Sequence, residues 1–101
     1  MLGKILVVED EIAIQTLIAV NLTKAGYDPI LVGTGEKALS NVATVLPDLI
    51  IVDWMLPVMS GIDLIRRLKE DSRTKKIPII FLTAKTDEKD KLSGLSLGID
   101  D

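Results

Sequence analysis

The 101 residues contain neither cysteine nor histidine. That excludes disulfides, thiolate metal sites, cysteine nucleophiles, serine–histidine–aspartate triads and histidine metal clusters. Any chemistry must come from carboxylates, hydroxyls, lysine and arginine. Aromatic residues are scarce, with one Trp, one Tyr and one Phe, so the core must be built from Ile, Leu and Val. No basic run or patch stands out, which argues against a grip on nucleic acid by this segment. No apolar stretch is long enough to cross a bilayer, and Met1-Leu2-Gly3-Lys4 does not open a signal peptide. A cytoplasmic location without membrane contact is therefore expected.

What is present is a high apolar content, 48% of the chain, and an acidic balance of 15 acids against 12 bases, net charge −3. The length suits one small domain, and the apolar fraction suits a packed core rather than disorder. The acidic balance fits a cation or a basic partner, though it selects weakly between them.

Two hydrophobic periods alternate along the chain. Residues Lys4 to Glu9 form a short apolar run ending in acid, the mark of a buried strand. From Glu11 to Ala25 the apolar residues Ile14, Leu17, Ile18 and Leu22 recur at helical spacing, and Gly26 should stop that helix. Asp28 to Val32 reads as a second strand. Glu36 to Leu46 reads as a second helix with Leu39, Val42, Ala43 and Leu46 inward, broken by Pro47. Asp48 to Asp53 is another buried strand ending in acid. After a loop from Trp54 to Gly61, Ile62, Ile65 and Leu68 mark a third helix. Ile77 to Thr83 reads as a fourth strand with Pro78 near its start, where proline is tolerated. Asp87 to Leu97 is a weaker helix, since Gly94 costs about 1 kcal/mol against Ala in a helix interior. Apolar strands alternating with helices predict a parallel sheet covered on both faces.

Ligands of open parallel sheets bind beyond the carboxyl ends of the strands, at the topological switch point. Strand 1 ends in Glu9-Asp10-Glu11, strand 3 in Asp53, and strand 4 in Thr83. If strands 1 and 3 are neighbours, Glu9, Asp10 and Asp53 converge. Clustered carboxylates repel, and a hard divalent cation such as Mg²⁺ resolves the repulsion. An aspartate carboxylate is also a competent nucleophile toward phosphorus. Taken singly, each residue has a structural reading: Asp10 as an N-cap, Asp53 as a solvated loop acid, Thr83 as a strand-end hydroxyl. Their shared location favours one site.

The ordered set Ile5-Leu6-Val7-Val8-Glu9-Asp10-Glu11, Pro47 to Pro57, Gly61, Ile77 to Ala84 and Gly98-Ile99-Asp100-Asp101 strongly resembles the receiver domain of bacterial two-component response regulators. The likeness runs over the whole chain and leans toward the phosphate-regulon transcription-factor subfamily. It implies a flavodoxin-like (CheY-like) doubly wound α/β fold with strand order 2-1-3-4. It also implies that Asp53 is the phosphoacceptor. Asp10, Asp53 and the backbone carbonyl of Met55 would bind Mg²⁺, with Glu9 acting through water. Thr83 would be the switch hydroxyl with Ala84 leaving room beside it, and Pro57 and Gly61 would shape the pocket mouth.

The implied partner is a sensor histidine kinase, with helix-1 residues such as Ile14 and Gln15 placed to face it. Lys91, Leu92, Leu95 and Asp101 would lie on a homodimer face, and DNA would be reached only through an output domain outside this chain. Such domains are signalling modules, not enzymes, although they assist their own phosphorylation and dephosphorylation. The family's fifth strand, with an invariant lysine and a switch aromatic, and its last helix fall beyond Asp101, so the chain is expected to be a receiver incomplete at its C-terminus.

Three rival readings compete with this one. A haloacid-dehalogenase-like phosphatase would need a second Asp two residues after the first, where this chain has Met55. A flavodoxin-like cofactor binder would favour a Ser/Thr- or Gly-rich loop after strand 1, where this chain is acidic. A degenerate receiver serving only for association is favoured by the missing lysine and opposed by the intact acid cluster.

Overall fold

The computed structural model describes residues 2–53, 56 and 58–82. The element order is β1 (Lys4–Val8), α1 (Ile12–Lys24), β2 (Asp28–Val32), α2 (Gly35–Val42), β3 (Leu49–Asp53), α3 (Gly61–Glu70) and β4 (Ile79–Leu82). The four strands form one parallel sheet in the order β2-β1-β3-β4, as expected. The helix expected over Asp87 to Leu97 lies outside the described residues.

Strand alternation divides the sheet into two faces. Leu6, Val8, Ile50, Val52 and Ile79 pack with Ala38 and Val42 of α2 and with Leu64, Ile65 and Leu68 of α3. Ile5, Val7 and Ile51 face the other way, toward Ile18 and Leu22 of α1. Each fully buried aliphatic side chain contributes about 2 kcal/mol by leaving water. The α2/α3 face holds most of them and is the main anchor of the sheet. α1 and α2 leave β1 and β2 toward opposite faces, so the crevice between β1 and β3 is the switch point.

α1 ends in a Schellman motif. Gly26 takes φ +95°, its N–H donates to the Thr23 carbonyl at 3.0 Å, and the Tyr27 N–H donates to Leu22 at 3.0 Å. Only glycine enters that backbone region without steric cost. α2 and α3 are capped by hydroxyls: Thr34 Oγ1 accepts from the Lys37 N–H at 3.1 Å, and Ser60 Oγ from the Asp63 N–H at 3.2 Å.

Three boundaries or faces differ from expectation. α2 stops at Val42 and not at Leu46, and Ala43 and Leu46 are exposed. The Thr44 N–H, the Thr44 hydroxyl and the Val45 N–H all turn back to the Asn41 carbonyl, and Pro47 disfavours helical geometry at Leu46. β4 starts at Ile79 and not at Ile77, because the Ile77 N–H is spent on Thr74 at 3.0 Å and Pro78 has no N–H to give. In α1, Leu17 is 63% exposed and Ile14 39%, so Ile18 and Leu22 carry the contact with the sheet.

Candidate functional site

The ladder register creates the site. Val8 lies opposite Val32 on one side and Val52 on the other, so the next residues along, Glu9 and Asp53, emerge side by side at the carboxyl edge. Asp10 follows Glu9 directly. Glu9, Asp10 and Asp53 each offer a carboxylate oxygen within 4.8 Å of the others. Glu9 is buried, Asp53 half-buried and Asp10 exposed, which grades the cluster from interior to solvent.

The structural reading of Asp10 does not hold. The N-cap of α1 is Glu11, with no side-chain capping bond. Glu9 takes a local role instead: its Oε2 accepts the Glu11 N–H at 3.0 Å. Its own N–H donates to the Val32 carbonyl at 3.0 Å.

Glu9 carries the electrostatic strain of the site. Burial raises its pKa, opposed by the Glu11 N–H, and repulsion by Asp53 together with hydrogen bonds shared with Asp53 and Asp10 raises it further. The outcome is a carboxyl pushed up to about 7, which holds a proton well above the usual carboxylate range. A divalent cation would offset the repulsive part of the shift, leaving the part due to burial, and favour the ionised acids. Three hard oxygen donors of graded exposure could hold such an ion.

Gly61 packs against the backbone at the end of β3. It is the first residue of α3, and a Cβ there would stand 2.5 Å from the Asp53 carbonyl oxygen and 3.1 Å from Cε1 of Phe81. The absent side chain lets α3 begin directly against the end of β3. In the connecting loop, Val58 is 96% exposed with φ +64°, a conformation that strains a β-branched residue. An open groove between α2 and α3, lined by Met59, Arg66 and Arg67 among others, includes none of the three acids.

Sequence reasoning located the acids but missed a supporting residue. Gln15, expected to face a partner, turns its amide inward: Nε2 donates to the Glu9 carbonyl at 2.9 Å and the Val32 carbonyl at 3.2 Å. A lone glutamine on a helix carries no sequence signal for that role. Trp54, Met55, Pro57, Thr83, Ala84, Lys91, Leu92, Leu95 and Asp101 lie outside the described residues.

Parallel strands in the order 2-1-3-4, with three carboxylates converging at the β1/β3 switch point, define a class of acidic-pocket α/β domains, and comparison with known proteins gives the family. The family described as response regulator receiver domain matches residues 5–101, and the chain belongs to it. It is 50% identical to the phosphate regulon transcriptional regulatory protein PhoB of Pseudomonas aeruginosa, over 100% of this chain and 44% of that protein. It is 48% identical to the alkaline phosphatase synthesis transcriptional regulatory protein PhoP of Bacillus subtilis, over 97% of this chain and 40% of that protein. The chain thus spans less than half the length of these relatives. Among solved structures, the chemotaxis response regulator CheY4 of Vibrio cholerae superposes with a TM-score of 0.91 at 31% identity, covering 98% of this chain and 82% of that one. The domain is a two-component receiver of the PhoB/PhoP kind with a CheY-like fold, a signalling family and not a classical enzyme family. No helix among the described residues is long and apolar enough to cross a membrane.

Proposed function

We propose that this chain is a phospho-accepting receiver in which Asp53 takes a phosphoryl group from a sensor histidine kinase. Glu9, Asp10 and Asp53 hold Mg²⁺, joined by the backbone carbonyl of Met55. The observation that carries the reading is the convergence of three carboxylates within 4.8 Å at the switch point.

Bound Mg²⁺ would neutralise the cluster and draw charge from the phosphoryl oxygens. The chain's own residues do the rest. Asp53, at the last position of β3, is held by its ladder with β4 and by the close seat of α3 at Gly61. Its carboxylate oxygen attacks phosphorus, the bond from phosphorus to the kinase histidine nitrogen breaks, and that nitrogen keeps the electron pair. Glu9 and Asp10 supply the negative charge that retains the cation. Positioning and charge neutralisation are most of what phosphoryl transfer requires. Following the family resemblance, Thr83 is the hydroxyl that meets the phosphoryl group, and the domain assists its own phosphorylation and dephosphorylation. The reading extends to a cytoplasmic regulator that dimerises through Lys91, Leu92, Leu95 and Asp101. It would act on DNA through an output domain, as the names of PhoB and PhoP as transcriptional regulators suggest.

Trp54, the only tryptophan, neighbours Asp53 in sequence and reports on the pocket. Its fluorescence should change with Mg²⁺ and again with beryllofluoride, a phosphoryl mimic, and Asp53→Ala should abolish the second change. A signal unmoved by millimolar Mg²⁺ in the folded protein would overturn the metal site.

A further inference from the structure

Gln15 lies in the first turn of α1 and is half-buried. Its Nε2 spans two carbonyls that belong to neither its own helix nor each other's segment: Glu9 at 2.9 Å and Val32 at 3.2 Å. The Val32 carbonyl also accepts the Glu9 N–H at 3.0 Å. Glu9 is therefore tied down at its N–H, at its C=O and, through Glu11, at its carboxylate.

The Glu9 carbonyl is one edge of the planar peptide unit that joins Glu9 to Asp10. Its orientation sets ψ of Glu9 and the direction in which the chain leaves toward the Asp10 Cα. Asp10 itself is exposed and lies in no strand or helix, so no ladder holds it. The peptide plane before it is the available handle, and Gln15 grips that plane.

We propose that Gln15 is a positioning residue for the acid cluster: by bracing α1 against the ends of β1 and β2, it holds the Glu9–Asp10 peptide where both carboxylates meet Asp53. The inference rests on the cluster being the cation site described above. Gln15 touches no ion or reacting atom and acts through Glu9 and Asp10. Freezing a long side chain offsets much of what two hydrogen bonds contribute, so the brace adds little net stability and acts chiefly on position. Loss of such a supporting contact commonly weakens metal binding about tenfold or more.

The test is Mg²⁺ binding by isothermal titration calorimetry, with thermal melts in excess chelator as the parallel readout. Gln15→Met keeps the length and removes both donors. It should weaken Mg²⁺ binding about tenfold while changing the metal-free melting temperature little. Gln15→Arg restores N–H donors but adds a positive charge that opposes a cation, so recovered affinity in that variant can come only from position. If Gln15→Met fails to fold, Gln15→Asn takes its place, since its amide is one methylene too short to span both carbonyls.

Unchanged Mg²⁺ affinity in the donor-deficient variant, beside a wild type that binds and an Asp53→Asn variant that does not, would overturn the role of Gln15 alone. A wild type that binds no Mg²⁺ would overturn the cation site, and this inference with it.

Discussion

The two ends of β3 treat their acids in opposite ways. Just before its start, Asp48 accepts the Lys4 N–H on Oδ2 at 2.8 Å and donates its own N–H to the Lys4 carbonyl at 2.8 Å. That carboxylate is a fastener between two strands, matched to a backbone donor. At the far end, Asp53 is brought against Glu9 and Asp10, and burial together with these acidic neighbours raises the Glu9 pKa. The same sheet edge adds a strained Val58 and an α3 seated so closely that only glycine fits. One end uses its acid as a fastener between strands, whereas the other gathers acids whose repulsion a cation would relieve. Such a division is expected where a fold carries a site.

The largest break in this comparison is expected from Gly61→Ala. A methyl group 2.5 Å from the Asp53 carbonyl forces α3 away from β3, at a cost of about 3 kcal/mol by analogy with overpacking. Chemical denaturation measures it. A loss near zero would mean that the start of α3 adjusts freely and does not fix the end of β3.

Glu9→Gln sharpens the comparison from the other side. A carboxyl with a raised folded pKa favours the fold fully below its unfolded value and loses that contribution as pH rises through the folded one. In chelator, wild-type stability attributable to Glu9 should therefore fall from about pH 4.5 to about pH 7. Glu9→Gln should lack this slope and be more stable than the wild type above pH 7, while binding Mg²⁺ more weakly. Parallel stability–pH curves for the two proteins would show that Glu9 is not strained.

Asp48→Ala is the smallest change and the control. It removes an exposed bond to a backbone N–H and should cost about 1 kcal/mol, with Mg²⁺ affinity untouched. Weakened Mg²⁺ binding in this variant would show that the two ends of the sheet are not independent.

Much of this arrangement was legible from the residues. Apolar runs ending in acid mark β1 and β3, and the rule that parallel sheets bind ligands at the strand carboxyl ends brings Glu9, Asp10 and Asp53 together from the sequence. Other features follow from contacts that periodicity does not encode. Helical spacing ran on through Ala43 and Leu46, but the return of Thr44 and Val45 to the Asn41 carbonyl ended α2 early. α1 is apolar on several sides, so spacing could not tell Ile18, which meets the sheet, from Leu17, which meets solvent. The brace by Gln15 depends on the distance from a helix to two strand ends, which only the assembled fold sets.

The central claim is that the strained end of the sheet is a phosphoryl-accepting site. Incubation with acetyl phosphate and Mg²⁺, followed by intact-mass measurement, tests it most directly. The account predicts the mass gain of a single phosphoryl group, dependent on Mg²⁺, labile to hydroxylamine as an acyl phosphate must be, and absent in Asp53→Asn. A gain that persists in Asp53→Asn, or no gain in folded wild-type protein with Mg²⁺ bound, would contradict it.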